Sequence, residues 1–366
     1  MPIIIGSRCC RLIEILSLAA AAALLLGSVG CGSDSSSSGG GNAAADGVRL
    51  VRDAAGKVTA VTFQGAEVKD ASLAVLKDHP GVQSLTLLNC SSVSDAAMKS
   101  IGAQKELTTL TINQTGIGDA GLLMLKPGTL PSLKNLILSD LPVTGEGMAG
   151  LSAAPECEEL ELFRLHIGDQ SLKVLSGLSH LKRLSLQSCP NLTGEGLSYL
   201  AGLGELKELD LRGTVLTKAG LQQLATLTQL QQVLPAKENL TDEGLKYLGQ
   251  MTSLRTLQCR DVEITDKGLS FLAAMPNLEE LELNRCGSIT NEGLIHLATI
   301  RSLKRLHLNE CPQITDDGMV HLKGVTNLEL VSVTDSPVSG AAAKQLKEWI
   351  PQSAVFYGVS PGVIRL

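Results

Sequence analysis

Nine cysteines and six histidines in 366 residues are the first candidates for chemistry. Zinc and redox sites need thiolates or imidazoles at short fixed spacing, such as CxxC. Placed on the chain, these residues do not gather that way. Cys90, Cys189, Cys286 and Cys311 each follow a short alternating apolar run by the same distance, and Cys157 and Cys259 stand where neighbouring runs carry leucine. Buried cysteine behaves as a small hydrophobe, so all six are assigned to the core as thiols. Cys286 and Cys311 fall in successive units, which leaves a disulfide between them open. His296 and His321 share a slot with Tyr199, Tyr247 and Phe271, a pattern of bulky packing residues. His79 and His180 lie in connections, and His166 follows a strand. His307 alone projects from a strand, and no motif pairs it with a serine or cysteine nucleophile. P-loop, GxSxG, HExxH and dinucleotide fingerprints do not occur. No catalytic residue, metal ligand or cofactor site is therefore assigned.

The elements that carry these residues repeat. Leu278–Leu297 reads LEELELNRCGSITNEGLIHL, and Leu303–Leu322 reads LKRLHLNECPQITDDGMVHL. Aligned on LxxLxL, the units start at Val58, Val82, Leu107, Leu133, Cys157, Leu181, Leu206, Leu230, Leu254, Leu278, Leu303 and Leu328, spaced 24 to 26 residues apart. Each reads as one strand, one turn and one short helix. Such a unit cannot bury its own apolar face and must stack on copies of itself.

The spacing, the LxxLxL core and the Cys-x-x-Ile-Thr-Asp-x-Gly-Leu continuation resemble the leucine-rich repeat family, most nearly its cysteine-containing subclass. The resemblance covers about residues 58–346. It implies an α/β solenoid, a horseshoe of about twelve strand-turn-helix units with a parallel sheet on the concave face and helices on the convex face. Twelve strands at 4.8 Å make that sheet about 55 Å long. The last two leucines of each run point to one side of the strand. Thr and Asp, as in Thr241-Asp242, Thr265-Asp266 and Thr315-Asp316, offer oxygens to the free amides of a helix start. A glycine recurs there (Gly121, Gly147, Gly196, Gly220, Gly244, Gly268, Gly293, Gly318). Because glycine costs a helix about 1 kcal/mol against alanine, its recurrence predicts close approach of another helix or strand.

The ends and one unit break the pattern. Val48–Val51 and Val58–Phe63, split by Asp53-Ala54-Ala55-Gly56, read as a capping hairpin. Trp349, Pro351, Phe356 and Tyr357 read as a C-terminal cap. In the eighth unit Pro235 replaces an inward leucine, which predicts a bulge or weakened strand, since proline cannot donate to the ladder.

Ahead of the repeats, Arg8 and Arg11 precede an apolar run from Ile15 to Leu26 and then Gly27-Ser28-Val29-Gly30-Cys31. This is the layout of a signal peptide. The cysteine after Gly30 resembles a bacterial lipobox, which implies that Cys31 is lipidated and becomes the new N-terminus. Plain secretory cleavage and a short membrane anchor stay open beside that reading. Residues 32–46 contain no large apolar side chain and form a tether. The expected layout is a signal peptide at 1–30, a Ser/Gly-rich tether at 31–47, the repeats with their hairpin cap at 48–346 and a C-terminal cap at 347–366. A single acyl chain anchors only marginally, so stable attachment needs the several chains of a bacterial lipoprotein. The location is then the cell envelope, lipid-anchored at a membrane surface. The net charge of −6 becomes −7 once Arg8, Arg11 and Glu14 leave, which disfavours nucleic-acid binding.

The candidate site is the third, fifth and seventh residue of each unit, which face away from the core. The early units present small neutral groups. From the fifth unit the face carries Glu159, Glu161 and Phe163; Arg183 and Gln187; Asp210 and Arg212; Gln258 and Arg260; Glu280, Glu282 and Asn284; and Arg305, His307 and Asn309. Mixed charge with arginine and an aromatic fits recognition of a protein or peptide. Cross-strand pairs such as Arg305–Glu280 and Glu282–His307 are the structural alternative for the same residues. The expectation is a monomeric, non-enzymatic binding module tethered to a membrane. An intracellular adaptor, resembling F-box leucine-rich repeat receptors, is the second reading; no F-box precedes the repeats.

Overall fold

A computed structural model describes residues 47–366. The signal peptide, Cys31 and the tether up to residue 46 lie outside the described residues. Fifteen strands form one sheet in strict chain order. β1 (Val48–Arg52) pairs antiparallel with β2 (Val58–Gln64), and β15 (Ile364–Arg365) pairs antiparallel with β14 (Ala354–Tyr357). Between them, β2 to β14 run parallel, each beside the next unit's strand. The architecture is the leucine-rich repeat horseshoe, an α/β solenoid.

The sequence shows twelve parallel strands and the structure has thirteen. β14 is the extra one, with Val355 fully buried beside Val331. Its leucine slots hold other residues, so the LxxLxL alignment passes over it.

The leucines of each run, the turn cysteine, the isoleucine and the helix leucines form one continuous core. Leu281, Leu283, Cys286, Ile289, Leu294 and Leu297 are all fully buried in the tenth unit. The six described cysteines are free thiols inside this core. Burial pushes the Cys157 thiol up to about 12 and the Cys189 thiol up to about 11, so neither is a thiolate at neutral pH. Cys286 and Cys311 are not bonded to each other; their Sγ atoms donate to the carbonyls of Cys259 (3.2 Å) and Leu283 (3.0 Å).

The return segments are short α-helices in several units, as at Asp242–Leu248 and Asn291–Leu297, and 3-10 helices in others, as at Asp70–Asp78 and Asp169–Gly177. Thr241, Thr265 and Thr290 cap their helices through the side chain, as the spacing predicts. Thr315 does not; its hydroxyl accepts from Asn291 Nδ2 at 2.8 Å.

The aspartate beside the cap works differently from the expectation. It serves the next coil. Asp242 accepts from the amide (2.8 Å) and hydroxyl (2.7 Å) of Thr265, and Asp266 accepts the same two bonds from Thr290. Asp169 with Thr193 and Asp316 with Ser339 repeat the clamp. The recurrent glycine follows from it. A Cβ on Gly268 would overlap the Asp242 carboxylate and sit 3.0 Å from Leu245 Cδ1; Gly293 meets Asp266 and Leu269 in the same way. At Gly196 and Gly220 the obstacle is the preceding coil's backbone.

Most of the parallel strands leave through a left-handed residue at the unit's eighth position, including Asn89, Asp140, Arg164, Arg285 and Glu310. The eighth unit departs, as Pro235 predicts. Its strand β9 (Gln232–Leu234) keeps three register pairs with β8 (Glu208–Asp210) but one with β10 (Thr256–Gln258). The sixth-position amides of Leu211 and Cys259 donate to the next strand, and proline has no amide to do so.

Candidate ligand-binding face

Alternation puts the third, fifth and seventh residue of each strand on the sheet face opposite the helices. Parallel pairing in register then sets identical positions side by side, so the face is a grid. Its charged residues fall into two groups, separated by Gln232, Leu234 and Ala236 of the eighth unit.

The first group spans β6 (Glu159–Phe163), β7 (Arg183–Ser185) and β8. Glu159, Arg183 and Glu208 form one row, and Glu161, Ser185 and Asp210 the next. Arg183 pairs with Glu159 and lies 4.0 Å from Glu208. Asp210 is 4% exposed and fully engaged: Arg212 donates from Nε (3.0 Å), Nη2 (2.6 Å) and its amide (3.0 Å), and Gln187 Nε2 donates at 2.9 Å. Phe163 is half-buried at the seventh position, with the Arg164 guanidinium 4.5 Å from its ring centroid.

Glu161 differs from its neighbours. It is half-buried and accepts no hydrogen bond from any described residue. Burial pushes its carboxyl above the usual carboxylate range. The charges of Glu159 and Asp210 add to that, and Arg183 and Arg212 only partly oppose it. Burial also raises Glu208, against the pull of Arg183. The floor here holds Glu159, Glu161, Glu208 and Asp210 against Arg183 and Arg212, an excess of two carboxylates. The adjoining edge, made by second positions, is basic: Lys134 and Lys182 share Glu158 and hold it down to about 2, and Lys207 lies beyond.

The second group spans β10, β11 (Glu280–Glu282), β12 (Arg305–His307) and β13 (Leu330–Ser332). Its charges cancel. Arg260 grips both oxygens of Glu282 (2.6 and 2.7 Å), which is 5% exposed and also accepts from Asn284. Arg305 donates twice to Glu280 Oε2 (3.0 and 2.8 Å), the pair expected from the sequence. Asn284 and Asn309 are occupied by backbone: Asn284 Oδ1 accepts from the Asn309 amide at 3.0 Å, and Asn309 Oδ1 accepts from the Thr334 amide at 2.9 Å. Gln258 stands in register beside Glu282.

One row aligns Glu282, His307 and Ser332 on adjacent strands, the residue types of a hydrolytic triad. The hydrogen bonds of a triad are not formed. Ser332 Oγ donates to Asn309 Oδ1 at 2.6 Å, Glu282 is taken by Arg260, and the nearest carboxylate to His307 is Glu280, at 4.0 Å. Burial lowers the His307 pKa against the opposing pull of Glu282 and Glu280, so the ring is neutral at pH 7. Among the described residues no group of three His, Cys, Asp or Glu side chains could hold a metal ion.

The sequence-predicted residues therefore share one face but form two sites of unlike character. Glu208, a third-position residue in register beside Arg183, belongs to the first. Phe356 was assigned to the cap, yet it stands in register with Ser332 at a fifth position, with Arg365 over its ring at 5.6 Å.

Comparison with known proteins agrees with this geometry. A leucine-rich repeat family model matches residues 177–201, 274–298 and 299–322. Among solved structures, an internalin (InlF) from Listeria monocytogenes is similar at 20% identity with a TM-score of 0.52, over 82% of this chain and 86% of that one. A leucine-rich repeat protein of Leptospira interrogans is 16% identical with a TM-score of 0.43, over 81% and 89%. A chain of the yeast Rad7–Elc1 complex is 20% identical with a TM-score of 0.46, over 81% of each. The protein has the leucine-rich repeat fold, and the likeness to the internalin concerns that fold alone.

Proposed function

We propose that this protein is a non-enzymatic binding module of a bacterial cell envelope, held at a membrane by a lipidated Cys31, that binds a protein or peptide along its concave sheet face as a monomer. One observation carries the binding assignment. The solenoid's leucine, cysteine, threonine, aspartate and glycine slots repeat from coil to coil and are consumed by packing. The third, fifth and seventh positions, which form the concave face, vary from coil to coil, and from β6 onward they carry arginine, carboxylate and an accessible aromatic ring. Such a surface recognises a shaped polar partner better than a uniform apolar one. The leader supports export, and the Ser/Gly tether fits a domain held away from a bilayer. No helix among the described residues is long and apolar enough to cross a membrane.

Two experiments test the two halves. Radioactive fatty-acid labelling is expected to mark the wild type and not Cys31→Ala; an unlabelled wild type refutes the lipid anchor. Affinity capture from the native membrane is expected to lose its partner with Phe163→Ala/Arg212→Glu. Equal recovery by both proteins removes the site from this face.

A further inference from the structure

We infer that the floor between β6 and β8 takes one arginine or lysine side chain of the bound protein segment, with Glu161 as its carboxylate partner. This rests on the concave-face reading and gives it a chemistry. Four of the other carboxylates are matched: Asp210 and Glu282 by chelating guanidinium groups, Glu280 by Arg305, and Glu159 by Arg183; Glu208 shares Arg183 at 4.0 Å. Glu161 has no donor among the described residues. Its in-register neighbours are Ile137 of β5 (Asn135–Ser139) and Ser185 of β7, neither of them charged. A half-buried carboxylate with free lone pairs gains most from a donor that arrives with the ligand.

Two further features favour an organic cation on a side chain. Phe163, two residues on, lies on the same face, and its ring already holds the Arg164 guanidinium at 4.5 Å, the kind of contact aromatic rings make with organic cations. No three metal-ligating side chains converge on the spot. The basic edge then restricts the partner. Lys134, Lys182 and Lys207, against the one Glu158 that the first two share, leave this edge net positive, which disfavours a polybasic tract lying along it. A segment with one protruding cation is not disfavoured in this way.

The test uses a displayed library of random linear peptides, selected on the folded wild-type protein. Recovered peptides are expected to share one Arg or Lys position. Replacing that residue with citrulline or norleucine is expected to weaken binding about tenfold. Glu161→Gln, isosteric and uncharged, is expected to weaken it equally, and the two changes combined no further, as a double-mutant cycle requires. Thermal melting of Glu161→Gln confirms that the variant is folded. Peptides without a shared cation, or a cation whose contribution survives Glu161→Gln, overturn the inference. Gln187→Trp, which obstructs the same floor, separates the two claims. If it blocks peptides that share no cation, the concave-face reading stands and this inference falls. If it blocks none of them, or if no peptide is recovered, both fall.

Discussion

At the scale of single residues, the molecule separates groups that hold it together from groups left over. Glu161 is the clearest of the second kind. Its carboxyl is raised by burial and by the charges of Glu159 and Asp210, against Arg183 and Arg212. A carboxyl whose folded pKa is raised favours folding when protonated, and that contribution is lost as pH rises through the folded pKa. Glu161→Gln is therefore expected to melt higher than wild type at pH 7. Its advantage should shrink as pH falls and vanish below the ordinary carboxylate range, where wild-type Glu161 is protonated in both states. Melting curves of both proteins across that range check this; a lower melting temperature for the variant at pH 7 contradicts the burial argument. Residue identity and face were legible in the sequence for every member of the charged grid, because strand alternation fixes them. The pairing was only partly legible. Arg305–Glu280 follows from register, but the chelation of Glu282 by Arg260 depends on how one long side chain folds across two strands. Glu161 could not be singled out, because its lack of a partner results from Arg212 turning back onto Asp210.

At the scale of the element, the inter-coil clamp is what sequence reading half saw. The Thr-Asp pair announced a helix start, and the glycine announced a close approach. Neither told that the aspartate belongs to the next coil, since a side-chain oxygen has the same appearance in sequence whichever amide it accepts. Where it forms, the clamp ties the cap amide and hydroxyl of a helix start to the preceding unit, which makes neighbouring coils interdependent. Gly268→Leu would drive a side chain into the Asp242 carboxylate and Leu245, so a loss of about 1–3 kcal/mol is expected from overpacking. Denaturant unfolding measures it, and an unchanged midpoint would show that the Asp242–Thr265 clamp tolerates displacement. Pro235 shows the opposite case: of the bulge or weakened strand that its missing amide foretold, the structure has the weakened strand, with one register pair between β9 and β10.

At the scale of the whole molecule, the horseshoe was the most legible feature. A fixed period with an apolar core leaves stacking as the only way to bury that core, and the thirteen parallel strands follow. The extra strand β14 was not legible because its core slots carry residues other than leucine. We place the proposed binding function on the non-repeating face, where the break at the eighth unit divides an acidic, incompletely paired floor from a self-neutralised one. Site-specific photocrosslinking in the native membrane tests this account most directly. A photoreactive side chain at Gln187, on the concave floor, is compared with one at Lys246, exposed on the convex helix Asp242–Leu248. The account predicts a discrete protein adduct from position 187 and none from position 246. Adducts from position 246 alone would contradict it and move recognition to the convex side.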